Sequence, residues 1–274
     1  MKKTGMMRAA VYAAACLMAA AGTVCAAEKV VVEGSTTVLP IAQRTAEAFM
    51  DIHGGIDVSV RGGGSGVGIA SLLDGSCDIA DSSRAMKDAE YEKAAAKKKD
   101  PKAFVVAMDG IAVVVNNSNG VTGLTKQQVK EIYTGAVSDW SAVGGQAGKI
   151  VVVSRDSSSG TFEAFGELVL KGAKVRPDAL MQASNQAIAS IVAKTPGAIG
   201  YVGLGYITDS VKPLEIEGVK PGKDTVLSGK YPVSRPLFMY TNGSPKGAVK
   251  EYIDYVLGPD GQKIVDEEGF VALK

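Results

Sequence analysis

The chain has 274 residues, 46% of them hydrophobic and 22% charged, with a formal net charge of +1. That is enough apolar material for one large or two medium domains. The near-neutral balance, with no aromatics interleaved among basic residues, argues against a nucleic-acid binder. Lys2, Lys3 and Arg8 precede an Ala-rich apolar run from Ala9 to about Val24, with small residues at Ala26 and Ala27. This is the plan of a secretory signal peptide over residues 1–26; the run is interrupted and short for a bilayer span. Lipoprotein processing would instead use Cys16 or Cys25, but Ala13-Ala14-Ala15 and Gly22-Thr23-Val24 are poor lead-ins for it. Cleavage near Ala26 or Ala27 leaves Cys77 alone, hence no internal disulfide, and takes the net charge to −2.

The chain then opens with KVVVEG, a strand, followed by GSTTVLP and a helix with Ile41, Thr45 and Phe49 on one face. Ser35, Thr36 and Thr37 occupy this junction, and Pro40 suits an early helical position. IDVSVRG alternates as a strand should and runs through GGGSGVG into a short helix carrying Ile69, Leu72 and Leu73, a second junction centred on Ser65. DIADSSRAM is a weaker one, a short strand ending in Asp81, Ser82, Ser83 and Arg84. KAAAKKKDPK, residues 93–102, reads as a solvated helix end and loop, and FVVAMDGIAVVVNN as two apolar strand segments separated by Asp109-Gly110. LTKQQVKEIYTG is a helix capped by Thr125 with Gln128 as its box partner and stopped near Gly135. Trp140, the only tryptophan, reads as a packing anchor in the following loop.

The stretch IVVVSRDSSSGTFEAFGELVL, residues 150–170, organises the rest. Ile150–Val153 is a buried strand, and Phe162, Phe165 and Val169 recur at helical spacing. Arg155, Ser157, Ser158, Ser159, Gly160 and Thr161 stand at the turn between them. After it come a helix capped by Ser184 and ended at Pro196-Gly197, a strand AIGYVGLGYI, and surface loops and short strands over 208–232. RPLFMYT is an apolar strand, and SPKGAVKEYIDYVLG a helix that stops at Gly258-Pro259. Strands alternate with helices throughout, so the class is α/β.

With no flexible linker, two lobes would have to be joined by strands crossing between them, around Ile111–Val115 and Leu237–Tyr240. That puts residues 28–110 plus 238–274 in one lobe and 111–237 in the other. Ligands in open α/β sheets sit beyond the carboxyl ends of strands, so facing lobes would aim several helix N-termini into one cleft. Free N–H groups and the partial positive charge of a helix start favour an anion. Hydroxyls add neutral donors, and Arg155 adds a forked cation. Ser/Thr at one such junction need only cap a helix; it is the recurrence that points to an anion receptor.

Other chemistry is poorly supplied. No frame of residues 62–69 gives G-x-G-x-x-G and no Walker lysine follows; no serine lies in G-x-S-x-G. His53, the only histidine, reads as a solvated helix-end residue, and no zinc triad of histidines can form. The residues call for no cofactor and no metal.

GSTTVLP, GGGSGVG, DIADSSR, SRDSSSGT and GAIGYVGLGY, in that order after a signal peptide, resemble the phosphate-binding proteins of bacterial phosphate ABC importers. The resemblance covers nearly the whole mature chain. It implies a type II periplasmic-binding-protein fold, with two α/β lobes, two crossover strands and a ligand cleft that closes by a hinge. It implies a monomeric periplasmic receptor that captures inorganic phosphate for an inner-membrane permease with a cytoplasmic ATPase. The family's Arg-x-x-x-Ser-Gly-Thr falls on Arg155, Ser159, Gly160 and Thr161, its Gly-Ser-Gly serine on Ser65, and its first hydroxyl junction on Thr36, Thr37 and the backbone of Val38. Longer members carry an aspartate where this chain has Ser83; it accepts the ligand's proton and rejects sulfate. Asp81 or Asp156 then becomes the expected acceptor, with Asp156 alternatively holding Arg155. A receptor for sulfate or molybdate is the near alternative, and a secreted phosphate-ester hydrolase using a clustered serine the distant one.

Overall fold

The computed structural model describes residues 27–273, so the expected signal peptide at 1–26 lies outside the described residues. Strand β1 (Glu28–Gly34) buries Val30 and Val32 and leads into helix α1 (Leu39–Ile52), whose Ile41, Thr45 and Phe49 face the core as their spacing predicts. Then come β2 (Ile56–Gly62), α2 (Ser65–Asp74), β3 (Ile79–Ser82) and α3 (Asp88–Ala96). β1 pairs in parallel with β2 on one side and β3 on the other.

Strand β4 runs unbroken over Pro101–Asn116, which corrects the expectation of two segments parted at Asp109-Gly110. The dipeptide reads as a turn signal by composition, but it changes hydrogen-bonding partner without leaving the extended backbone. Pro101–Gly110 pairs antiparallel with the late strand Ser234–Asn242, whereas Ile111–Val115 pairs with Ala198–Gly203.

Beyond β4 the chain forms β5 (Gly123–Leu124) and α4 (Lys126–Thr134), capped as expected by Thr125 and Gln128 and ended by Gly135 in the left-handed region. Trp140 is buried in a 3-10 turn, its Nε1 donating to Gly197 O at 3.1 Å. Next are β6 (Val151–Arg155) and α5 (Gly160–Phe165), the latter prolonged to Leu170 by a π-helical turn. β7 (Leu180–Gln182), α6 (Asn185–Lys194), β8 (Ala198–Gly203), β9 (Val211–Pro213), β10 (Glu215–Ile216), α7 (Lys223–Leu227) and β11 (Ser234–Asn242) follow. α8 (Gly247–Leu257) ends at Gly258 as expected, but Pro259 opens a further helix, α9 (Pro259–Glu267). Proline both ends a helix and is pre-set for the first turn of the next, so Gly258-Pro259 is a stop and a start at once.

The sheet order is β2-β1-β3-β11-β4-β8-β6-β7. One core gathers Val32, Ile41, Phe49, Val106, Leu237, Met239 and Tyr252; another gathers Ile111, Val113, Val129, Phe165, Tyr201, Tyr231 and Val233. β4 therefore contributes Val106 and Ala107 to the first and Ile111, Val113 and Val115 to the second, with Ala112 and Val114 facing α6 on the other side, and the chain changes core again between Val233 and Leu237. Asp109 and Arg235, paired in register, sit at this crossing.

Asp81 departs from the expected acceptor role. Side chains alternate along a strand, so Asp81 lies on the face of Ile79, which belongs to the α1 core, while Ala80 packs beneath α2. Neither carboxyl oxygen hydrogen-bonds to any described residue. Burial pushes its pKa well above the ordinary carboxylate value. The folded chain thus holds a proton that the unfolded chain releases above that ordinary value. Stability from this proton is fully present at acid pH and is lost as pH rises. Asp81→Asn, which carries its own hydrogens, is expected to gain roughly 1–3 kcal/mol at neutral pH and to flatten that fall, as thermal melts across pH would show.

Candidate functional site

Three strand-to-helix junctions meet where β4 and β11 cross between the cores. At the first, Ser35 Oγ accepts the Thr37 N–H at 3.1 Å and stands 3.4 Å from the Val38 N. It secures the start of α1, so the Val38 N–H expected to face a ligand already has a long internal contact. At the second, Ser65 opens α2, and its Oγ accepts the Ser83 N–H at 3.0 Å with the two hydroxyls 3.3 Å apart. The weak fourth junction of the sequence is thereby joined to the second.

At the third, Ser159 caps α5, accepting the Phe162 N–H at 3.2 Å. Gly160 is pressed against the opposite junction: a Cβ there would lie 2.3 Å from Ser65 Oγ and 2.8 Å from Ser83 Oγ. Thr161 Oγ1 stands 2.9 Å from Thr37 Oγ1. Thr36, Thr37, Val38, Ser65, Ser83, Arg155, Ser159, Gly160 and Thr161 are all buried in this one region.

Arg155 leaves the end of β6 and is 1% exposed. Its Nε donates to Gln182 O at 3.1 Å, and its Nη2 to Ala183 O at 2.9 Å and Thr36 Oγ1 at 3.0 Å. Nη1 has no hydrogen-bond partner among the described residues. Burial lowers its pKa from the usual guanidinium value, but a guanidinium stays charged at neutral pH. Asp156 does not hold it: Asp156 Oδ1 instead accepts Ser158 N (2.9 Å) and Ser158 Oγ (2.6 Å) and shapes the turn. Backbone carbonyls orient Arg155, and among the described residues no carboxylate forms an ion pair with it.

Three polar residues of the site escape a sequence reading. Arg235, inside an apolar-looking strand, is buried, and its Nη2 donates to Thr161 Oγ1 at 2.9 Å and Asp109 Oδ2 at 3.1 Å, with Thr37 Oγ1 at 3.4 Å. Its Nη1, like that of Arg155, has no hydrogen-bond partner among the described residues. Asp109 is fully buried; burial raises its pKa, opposed by Arg235 and by the Leu204 N–H, which it accepts at 2.9 Å. Asn185 Nδ2 donates to Thr36 and Thr37, both at 3.1 Å. The available signal was a lone polar residue beside each segment boundary, which occurs too often to select these three.

A second link spans the region at its edge. Arg84, just after β3, makes a two-pronged bond to Glu90 (both 2.8 Å) and approaches Glu163 of α5 at 2.6 Å, while Lys87 reaches Glu163 at 2.9 Å. His53 lies elsewhere, ending α1 and stacked on Phe49 with centroids 4.1 Å apart. Among the described residues, no group of His, Cys, Asp and Glu is placed to hold a metal ion. The geometry suits a small oxyanion: donors on every side, two guanidinium groups, and one carboxylate already committed to Arg235.

The profile of the PBP superfamily domain matches residues 19–260. The phosphate-binding protein PstS of Bacillus subtilis is 36% identical over 245 residues, covering 88% of this chain and 79% of the relative. The chain belongs to the PstS family. The PstS of Borreliella burgdorferi is 33% identical over 260 residues, 90% of this chain and 91% of its own. Among solved structures, a putative phosphate ABC transporter substrate-binding protein with bound phosphate, from Clostridium perfringens, superposes with a TM-score of 0.85 at 33% identity. That match covers 90% of this chain and 100% of the other. The mixed α/β periplasmic-binding-protein fold expected from the sequence is thus the fold of PstS proteins.

Proposed function

We propose that this PstS-family chain is an extracytoplasmic receptor that captures inorganic phosphate among the converging junctions and delivers it to an ABC permease driven by a cytoplasmic ATPase. The observation that carries the reading is Arg155, a buried guanidinium with no carboxylate partner and one nitrogen without a hydrogen-bond acceptor among the described residues. A buried charge is costly unless countered, and a dehydrated oxyanion counters it while taking up the surrounding donors. Thr36, Thr37, Ser65, Ser83, Ser159, Gly160 and Thr161 supply the remaining contacts, with the Val38 backbone at the margin.

Two lobes, 28–110 plus 238–274 and 111–237, would close on the ligand. The two cores and the crossings at β4 and β11 support that division. The basic-then-apolar leader supports export, and the poor lead-ins to Cys16 and Cys25 favour a free periplasmic form over a lipid-anchored one. The hydrolase reading finds no support, since the Ser159 hydroxyl caps a helix and the only histidine ends α1.

Calorimetric titration of phosphate-stripped mature protein with phosphate, sulfate and molybdate, each at two pH values, tests the proposal. Tight binding of phosphate with weak binding of the others is expected. Tight sulfate or molybdate with weak phosphate would keep the cleft and replace the ligand.

A further inference from the structure

Ser83 and Gly160 meet inside the site, and charged residues beside them meet at its edge. Arg84 follows Ser83, and Glu163 lies one turn past Gly160 on α5. The Arg84 fork is already spent on its own side of the site. Nη1 and Nη2 donate to Glu90 Oε2 and Oε1, both at 2.8 Å, and Nη1 also to Ala85 O at 2.9 Å. Glu90 is fixed in turn, its Oε2 accepting the Lys87 N–H at 2.8 Å where α3 begins. That leaves Nε, and Glu163 Oε2 stands 2.6 Å from it, an ionic contact outside hydrogen-bond geometry. Lys87 Nζ reaches the same oxygen at 2.9 Å.

The two sides of this contact belong to different cores. Ala164 and Phe165, next to Glu163, pack with Tyr201, whereas Met86, two residues past Arg84, packs with Leu72 and Tyr240. One side holds two cations against one carboxylate and the other a lone carboxylate, so the charges balance only when the sides meet. The Arg84 and Glu163 side chains are 9% and 14% exposed, which spares the pair most of the screening that weakens surface ion pairs. A carboxylate has no proton to give an oxyanion, so Glu163 can serve phosphate only by drawing the two sides together.

We propose that Glu163 is a positioning residue that latches the two lobes through Arg84 and Lys87, holding Ser65 and Ser83 against α5 and prolonging the stay of phosphate without touching it. The proposal rests on the phosphate reading and the lobe division above. Glu90 lies on the same lobe as Arg84 and keeps the guanidinium pre-set when the lobes part, so closing the latch costs little further side-chain entropy. The latch forms only once the lobes meet, and it therefore acts on release rather than on capture.

The test is the uptake of radiolabelled phosphate by the full mature protein and its release on chase with unlabelled phosphate. The variants are Glu163→Gln, Glu163→Lys, and Glu163→Lys combined with Lys87→Glu, each checked for folding by a thermal melt. Glu163→Gln is expected to release phosphate about fivefold faster with capture unchanged. Glu163→Lys is expected to release it faster still, and the added Lys87→Glu to recover part of the loss. A Glu163 that acted only through its field would give the reverse of every sign. Removing a like charge beside an anion tightens binding, Glu163→Lys would tighten it further, and Lys87→Glu would undo the gain.

Those reversed signs, or unchanged release from Glu163→Gln, overturn the proposal. Should the Glu163 variants not fold, Lys87→Gln at its exposed position decides: faster release with unchanged capture is expected, and unchanged release overturns the proposal. Wild-type protein that binds no phosphate would instead overturn the reading on which the proposal rests.

Discussion

Arg155→Met is expected to cut phosphate affinity by at least 100-fold while raising the thermal midpoint of the ligand-free protein. The two effects have one cause. The guanidinium is almost wholly buried, is held by Gln182 O, Ala183 O and Thr36 Oγ1, and among the described residues pairs with no carboxylate. Truncating one partner of a buried, hydrogen-bonded charge pair costs about 2–5 kcal/mol, and about 3 kcal/mol corresponds to the 100-fold loss. Without ligand the same charge is a burden on the fold, and an apolar side chain of similar length relieves it. Titration calorimetry paired with a thermal melt reads both signs. A variant that loses stability along with affinity would show that Arg155 braces the strand ends rather than balancing the ligand.

Gly160→Ala is expected to weaken binding by roughly 10–100-fold without unfolding the protein. A methyl at this position would meet Ser65 Oγ at 2.3 Å and Ser83 Oγ at 2.8 Å. Both hydroxyls belong to the opposite side of the site and are themselves pinned, Ser65 by the Ser83 N–H. Overpacking of this kind costs roughly 1–3 kcal/mol, and it falls on the closed arrangement, where the two junctions touch. Gly160 is the first residue of α5 and is not among the residues of positive φ, so alanine suits its own helix. Small-angle scattering with and without phosphate distinguishes the causes. The wild type is expected to contract on binding and the variant to contract less; equal contraction with equal affinity would mean the contact yields freely.

Much of this molecule is local and therefore legible from its sequence. A strand, a run of hydroxyls and a helix start are relations among residues a few positions apart. Capping chemistry and apolar spacing accordingly determined α1, α2, α4 and α6, the cap at Ser159, and the candidacy of Thr36, Thr37, Ser65 and Thr161. The order of those motifs determined the family. Pairing and register, in contrast, are relations between distant segments, and only the tertiary structure decided them. It kept β4 continuous through Asp109-Gly110, because two different strands supply its hydrogen bonds on either side of that point. It turned Asp81 into the α1 core, because side-chain direction depends on strand register rather than on neighbours in sequence. It brought Arg235 and Asn185 against Thr37, from positions 198 and 148 residues away along the chain. The sequence by itself determined that hydroxyl-rich helix starts recur. The crossing of β4 and β11 decided that they converge, and which buried donors stand behind them, because a charge or an amide is given its partner by the packing of segments remote in the chain.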